Sequence, residues 1–135
     1  MIGIDTNVLV RYLVQDDPAQ SAAATEIIDN LSAGAPGFLS QVALVETVWV
    51  LARAYKMPRA FIAGTIDTLL RSPEITVEGA EAGHRALAVY RATDADFADA
   101  LIAEAGRQAG CGETVTFDKK AAAATGMRLL VTAAS

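Results

Sequence analysis

The sequence predicts an α/β fold with a parallel sheet. Short β-like runs alternate with longer amphipathic or Ala-rich stretches that are typical of helices, and this alternation favours parallel strands. The chain has 135 residues, of which 53% are hydrophobic, and this size and composition suit one globular unit with a single core. We therefore expect one domain over residues 1–135, built from strands connected by helices.

The elements can be assigned in order from periodicity and from start signals. Asp17 before Pro18 favours a helix start, and Thr93 or Asp94 would begin the sixth helix, since all are good capping residues. The predicted strands are 1–5, 37–40, 74–77, 113–117 and 128–131. The predicted helices are 7–14, 18–31, 41–55, 58–70, 79–91, 94–109 and 119–125.

Composition excludes several classes of protein. No apolar run is long enough to span a bilayer, and the chain begins directly with a strand-like run, so we expect a cytoplasmic protein without membrane association. The single cysteine, Cys111, cannot form an intramolecular disulfide or a thiolate zinc cluster, and we expect it to be buried. A net charge of −5 argues against binding nucleic acid by bulk basicity, unless carboxylates converge on a metal ion.

Two acids follow predicted strands directly. Asp5 closes the first strand, and Asp118 comes after the fourth. Residues beyond the carboxyl ends of parallel strands line one edge of the sheet, where ligands bind. Either aspartate alone could simply cap the following helix. The two together favour a functional site.

A third acid lies in a helix that is apolar nearly all round. Glu46 is flanked by the apolar residues of 42–51, so we expect this helix to be largely buried. An ionised carboxylate there would have to be protonated, paired or bound to metal. Pairing with Arg53, seven residues on, is the structural alternative.

Two further acids lie three residues apart on the predicted helix 94–109. Asp96 and Asp99 can project towards one side of that helix. Asp96 falls in the predicted first turn, where the helix dipole favours an acid. Asp99 falls beyond that turn, so capping does not explain it, and it is the stronger functional candidate.

Carboxylates without histidine favour a hard cation such as Mg²⁺, with Mn²⁺ as a substitute. Such an ion activates water for attack on phosphorus and neutralises phosphoryl oxygens, which is the chemistry of a hydrolytic nuclease. The only histidine, His84, lies apart from the acids, and we interpret it as a surface or packing residue. No glycine-rich phosphate loop is present, which argues against an NTPase.

The Asp-Thr-Asn-Val-Leu run at 5–9, Glu46, the 96–103 segment and Thr-Phe-Asp at 116–118 together resemble a PIN domain. The resemblance implies a five-stranded parallel sheet flanked by helices. It implies that Asp5, Glu46, Asp99 and Asp118 are catalytic, with Asp5, Asp99 and Asp118 holding the metal and Asp96 as an additional acid. Asn7 and Thr116 would hydrogen-bond ligands, water or the scissile phosphate.

The length of the chain resembles VapC-type toxins. That likeness implies an endoribonuclease, a homodimer and a cognate VapB-like antitoxin that covers the acidic groove. Arg11 and Lys119 are the first candidates for binding RNA phosphates, because each closely follows an acid. Weaker candidates are Arg53, Lys56, Arg59 and Lys120. An apolar antitoxin groove could come from Leu9, Val10, Tyr12, Leu13, Ile27, Ile28 and Leu31, unless these residues form the core.

Three alternatives remain open. One is a housekeeping PIN nuclease without an antitoxin. Another is a magnesium-dependent aspartyl phosphotransfer or receiver-like protein, although a dehalogenase-type enzyme would carry a second aspartate at Asn7 and a receiver would gather paired acids before its phosphorylated aspartate. The third is a binding module without catalytic activity.

Overall fold

The computed structural model describes residues 1–133, in two compact units, one over Met1–Ala80 and one that begins at Glu81. The first unit contains β1 (Ile2–Gly3), α1 (Thr6–Val14), α2 (Pro18–Asp29), β2 (Gly37–Leu39), α3 (Gln41–Arg53), α4 (Arg59–Arg71) and β3 (Ile75–Val77). α5 (Ala80–Ala92) begins at the boundary, and α6 (Phe97–Gln108), β4 (Val115–Thr116), α7 (Lys119–Thr125) and β5 (Arg128–Leu129) follow. The predicted order of strands and helices is confirmed over these residues.

The first unit is built on a parallel sheet in the order β1-β2-β3. Ile2 of β1 lies opposite Gly37 of β2, which in turn lies opposite Ile75 of β3. A side chain at Gly37 would come within 2.9 Å of the Leu31 side chain, so glycine allows the segment after α2 to approach the central strand. The core residues of this unit include Leu9, Leu39, Leu44, Leu51, Ile62 and Ile66.

The second unit contains a parallel pair, β4 and β5, connected through α7. Ala103 of α6, Ala121 of α7 and Met127, just before β5, form a small buried cluster. Small alanine side chains allow the two helices to pack closely. The ring of Phe97, at the start of α6, meets Tyr90 of α5 edge to face at 6.0 Å.

All the described strand pairings are parallel, as expected, but a single five-stranded sheet is not shown. The ladders join three strands in one sheet and two in another. Each strand has only two or three residues, so each forms few ladder hydrogen bonds, and within residues 1–133 β4 pairs only with β5.

One helix boundary was predicted correctly and another was wrong. Asp17 caps α2 by accepting a hydrogen bond from the Gln20 N–H at 3.0 Å. The sixth helix does not begin at Thr93 or Asp94. The Thr93 hydroxyl donates to the Val89 carbonyl and accepts the Ala95 N–H, so it closes the end of α5 and delays α6 until Phe97.

None of the helices within residues 1–133 combines the length and the apolar character that crossing a bilayer requires.

Candidate functional site

In the first unit, Asp5 and Glu46 are connected by Thr6. Asp5 is the N-cap of α1, and its Oδ1 accepts the Thr6 backbone N–H at 2.8 Å. The Thr6 hydroxyl donates to Glu46 Oε1, also at 2.8 Å. Two carboxylates that are 41 residues apart in sequence therefore share one residue as a hydrogen-bond partner. Asn7 follows on α1 and is exposed.

The expectation that Glu46 is buried was wrong. The helix α3 buries Leu44, Val48 and other residues on one face only, and Glu46 is exposed. Val42 and Trp49 are 70% and 59% exposed although they are apolar. Apolar composition on all sides therefore did not mean burial on all sides. Within the described contacts Glu46 makes no ion pair with Arg53, and its hydrogen bond to Thr6 is what fixes it.

A further acid at the strand ends was missed by the sequence analysis. Glu78 follows β3, and its Oε1 accepts the Gln41 N–H at the start of α3, at 2.9 Å. Ser40, after β2, caps the same helix by accepting the Ala43 N–H at 3.1 Å. Polar residues therefore follow all three strands of this sheet. The rule that selected Asp5 would have selected Glu78 too.

In the second unit, Asp96 and Asp99 lie at the start of α6. Because α6 begins at Phe97, Asp96 is the N-cap and Asp99 lies in the first turn. The expectation that Asp99 lies beyond the first turn was therefore wrong, and the helix dipole favours its charge. Asp96, although it is the N-cap, makes no side-chain capping hydrogen bond. Its carboxylate therefore does not bind the backbone N–H groups of the first turn of α6.

Asp118 does act as a helix cap. Its Oδ1 accepts the Ala121 N–H at 3.0 Å at the start of α7. Its own N–H donates to the Thr116 hydroxyl at 3.0 Å, which bends the chain between β4 and α7. Among the described residues its Oδ2 has no hydrogen-bond partner. The structural and functional interpretations of Asp118 are therefore compatible, since capping uses one oxygen.

Asp99 of the second unit is repelled by two other aspartates, Asp96 and Asp118. Burial raises the pKa of Asp99 above its usual value, and the negative charges of Asp96 and Asp118 raise it further. The positive charge of Lys120 opposes this shift. Asp99 is half-buried, so its charge is poorly solvated as well as repelled. A cation bound at this group would relieve both effects.

A buried acid of α6 pairs with the arginine that connects α6 to α7, and the sequence analysis missed it. Glu104 is 7% exposed and is paired with Arg107 one turn later. The other guanidinium nitrogen of Arg107 donates to the Thr125 carbonyl at the end of α7, at 2.9 Å. Glu104 lies seven residues after the buried Phe97 and four after Ala100, so helical spacing places it on the buried face.

Other candidates have defined surroundings. The Arg11 guanidinium donates to the Gln20 side chain at 2.8 Å and to the Tyr55 hydroxyl at 2.9 Å, which ties α1 to its neighbours. A role for Arg11 in RNA binding stays a prediction. Lys119 is exposed at the start of α7, and His84 is exposed on α5. Cys111 was expected to be buried but is exposed, because it lies in the loop after α6.

The acids fit a divalent cation by chemistry, although they do not form a ready ligand shell. Within residues 1–133 no group of three or more His, Cys, Asp or Glu side chains is placed to hold a metal ion together. The aspartates of the second unit nevertheless interact electrostatically, and Asp96 lacks a capping bond. Oxygen donors with excess negative charge are what Mg²⁺ and Mn²⁺ prefer.

The comparisons with known proteins agree with these features. The PIN domain family model matches residues 2–126, more than nine-tenths of the chain. The matched segment includes every candidate acid named above. No curated protein matches the chain. The chain belongs to the PIN domain family.

Proposed function

We propose that this protein is a metal-dependent endoribonuclease that acts as the toxin of a type II toxin–antitoxin pair. PIN domains are generally nucleases that use divalent metal ions. The observation that carries the proposal is the electrostatic strain at Asp99, where burial and the charges of Asp96 and Asp118 raise the pKa. Enzymes place such groups where a charged partner must bind.

In the proposed mechanism Asp5, Asp99 and Asp118 would hold Mg²⁺, with Asp96 as an additional acid and Mn²⁺ as a substitute. When bound, the ion activates water and neutralises charge on the scissile phosphate. Asp118 would have Oδ2 free for the ion, since Oδ1 accepts the Ala121 N–H. Placing these acids in one site rests on the order of the PIN motifs in the sequence.

The remaining residues act on water and substrate. Glu46 is oriented at Oε1 by the Thr6 hydroxyl and accepts a proton from the attacking water at Oε2. Asn7 and Thr116 donate hydrogen bonds to water or to the scissile phosphate. Arg11 and Lys119 contact flanking phosphates.

The test is cleavage of RNA by the purified protein, free of any partner. Total cellular RNA is incubated with Mg²⁺ or Mn²⁺, with a chelator, and with the Asp99→Asn variant. Glu26→Gln, which removes a similar charge from an exposed position on α2, is the matched control. We expect metal-dependent fragments, and normal cleavage by Glu26→Gln. Asp99→Asn should reduce the cleavage rate by about 100-fold or more, which is at or above the largest loss seen when a residue that only supports a metal ligand is replaced.

Two results would contradict this assignment. One is the absence of fragments with either metal. The other is undiminished cleavage by folded Asp99→Asn protein. A stable phospho-aspartate after incubation with a small phosphodonor would favour the aspartyl phosphotransfer alternative instead.

An apolar cleft in the first unit supports the antitoxin part of the proposal. The cleft has a volume of about 810 Å³. Five of the residues expected to form an antitoxin groove line it, and α4 contributes its opposite wall through Phe61 and its neighbours. Val10 is instead part of the core, and Ile27 lines a separate smaller cavity. The five lining residues are Leu9, Tyr12, Leu13, Ile28 and Leu31.

We propose that this cleft binds an amphipathic segment of the antitoxin. Co-expression with the product of the adjacent reading frame should give a complex that blocks RNA cleavage. Phe61→Glu, at a side chain that is 44% exposed, should weaken the complex, while Val131→Glu, at a more exposed position of the second unit, should not. A housekeeping nuclease would form no such complex and would cleave RNA in its presence.

We also propose that the protein is a cytoplasmic homodimer. Light scattering of the purified protein should then give twice the chain mass of 14.1 kDa. A mass equal to one chain at micromolar concentration would contradict the dimer.

A further inference from the structure

Phe117 is the most exposed of the four phenylalanines. Its side chain is 69% exposed, whereas Phe97 in the same unit is 2% exposed. The Thr116 hydroxyl accepts the Asp118 N–H across Phe117, so Phe117 lies at the bend of this short turn. Single exposed apolar residues are common on protein surfaces. The position of Phe117, immediately before Asp118, is what distinguishes it.

The neighbours of Phe117 give this surface a mixed aromatic and basic character. Val115, two residues earlier and in β4, is 46% exposed. Lys119 and Lys120 follow Asp118 directly and are both exposed. The positive charge of Lys120 partly opposes the rise in the pKa of Asp99, so this lysine lies near the aspartates. One aromatic ring and two ammonium groups therefore adjoin the carboxylates within a six-residue segment.

We propose that Phe117 is a stacking platform for an unpaired base of single-stranded RNA, with Lys119 and Lys120 contacting the adjacent phosphates. This inference rests on the proposed nuclease function and names a residue that contacts the bases of its substrate. A base can stack on an aromatic ring only when its face is free, and RNA duplexes hide the faces of their bases. Aromatic stacking tolerates any base, so Phe117 selects single strands rather than a sequence.

The net charge of the protein supports the same conclusion. A net charge of −5 gives no bulk attraction for phosphates, so a contact that does not depend on charge would add affinity that bulk charge does not supply. Stacking on Phe117 is such a contact. With phosphate contacts from Lys119 and Lys120, and from Arg11 as proposed above, a plot of log K against log salt concentration for single-stranded RNA should have a slope of about −2.1.

The experiment measures binding with cleavage blocked. Full-length protein carrying Asp99→Asn is titrated into a short single-stranded RNA that contains 2-aminopurine at several positions, since the fluorescence of this base is quenched when it stacks. Phe117→Ala, Phe117→Leu and Phe117→Trp are compared in this background. Ile27→Ala, at an exposed apolar residue of α2, is the matched control. Thermal melts check that each variant folds.

We expect Phe117→Ala and Phe117→Leu to lose the quenching and to weaken binding by about 5- to 150-fold, the range that alanine substitution of stacking residues gives. Leucine restores apolar bulk but offers no aromatic face. Phe117→Trp should retain both the fluorescence quenching and the binding affinity. Ile27→Ala should bind normally, and double-stranded RNA of the same length should bind more weakly.

Unchanged affinity and quenching in Phe117→Ala would overturn the proposal, as would equal binding of duplex and single strand. These outcomes are separate from failure of the nuclease assignment. If protein with the native Asp99 cleaves no RNA but the quenching still depends on Phe117, the stacking proposal stands and the nuclease function fails.

Discussion

Replacing Arg107 with alanine should destabilise the protein more than breaking any exposed ion pair. The change leaves the buried Glu104 carboxylate without its partner and removes the hydrogen bond to the Thr125 carbonyl. Removing one member of a buried pair costs about 3–5 kcal/mol. The Arg107 side chain is itself 50% exposed, and solvent screening lowers the figure to about 2 kcal/mol.

The assays are urea unfolding, which gives the free energy of unfolding, and thermal unfolding, which gives Tm, both on metal-free protein. For a chain of 135 residues, about 2 kcal/mol corresponds to a fall in Tm of about 7 °C. Arg128→Ala is the matched control, because Arg128 is paired with Glu113 and both side chains are more than half exposed. Its loss should cost less than about 1 kcal/mol. Equal free energies of unfolding for Arg107→Ala and Arg128→Ala would refute the reasoning.

Three further predictions concern stability. The pKa of Asp99 is higher in the folded protein than in the unfolded chain, so ionisation of Asp99 lowers the free energy of unfolding. This loss of stability develops as the pH rises from the pKa of Asp99 in the unfolded chain to its pKa in the folded protein. Metal-free Asp99→Asn should therefore melt higher than the native protein at pH 7, and the two melting curves should converge as the pH falls towards 4. Mg²⁺ at about 100 times its Kd for the native protein should stabilise that protein by about 2.7 kcal/mol, but it should stabilise Asp99→Asn, whose Kd is expected to be at least about 10-fold weaker, by about 1.4 kcal/mol or less. Asp17→Ala should lose the cap of α2 and about 1 kcal/mol in urea unfolding, and an unchanged midpoint would contradict that role.

Much of the fold could be predicted from sequence, because local patterns set the elements. Five strand-like runs and the intervening helices appear where alternation and periodicity placed them. Strand pairing depends on contacts distant in sequence, so the division of the strands into three and two could not be predicted from these patterns. The prediction that the sixth helix begins at Thr93 or Asp94 was wrong, because a threonine that can begin a helix can equally end the preceding one.

The candidate acids were found by position, and two of the arguments for them were wrong. Glu46 is exposed because α3 is covered on one face, which composition cannot show. Asp99 lies in the first turn of α6 because the helix starts later than predicted. Conversely, the spacing of Glu104 from Phe97 and Ala100 already indicated a buried acid.

The proposed function requires that the carboxylates bind the divalent ion used in cleavage. The most direct measurement is calorimetric titration of Mn²⁺ into metal-free native protein, Asp99→Asn and Glu26→Gln. The account predicts saturable binding to the native and Glu26→Gln proteins, and a Kd at least about 10-fold weaker for Asp99→Asn. Equal Mn²⁺ binding by folded Asp99→Asn, or no binding by the native protein, would contradict it.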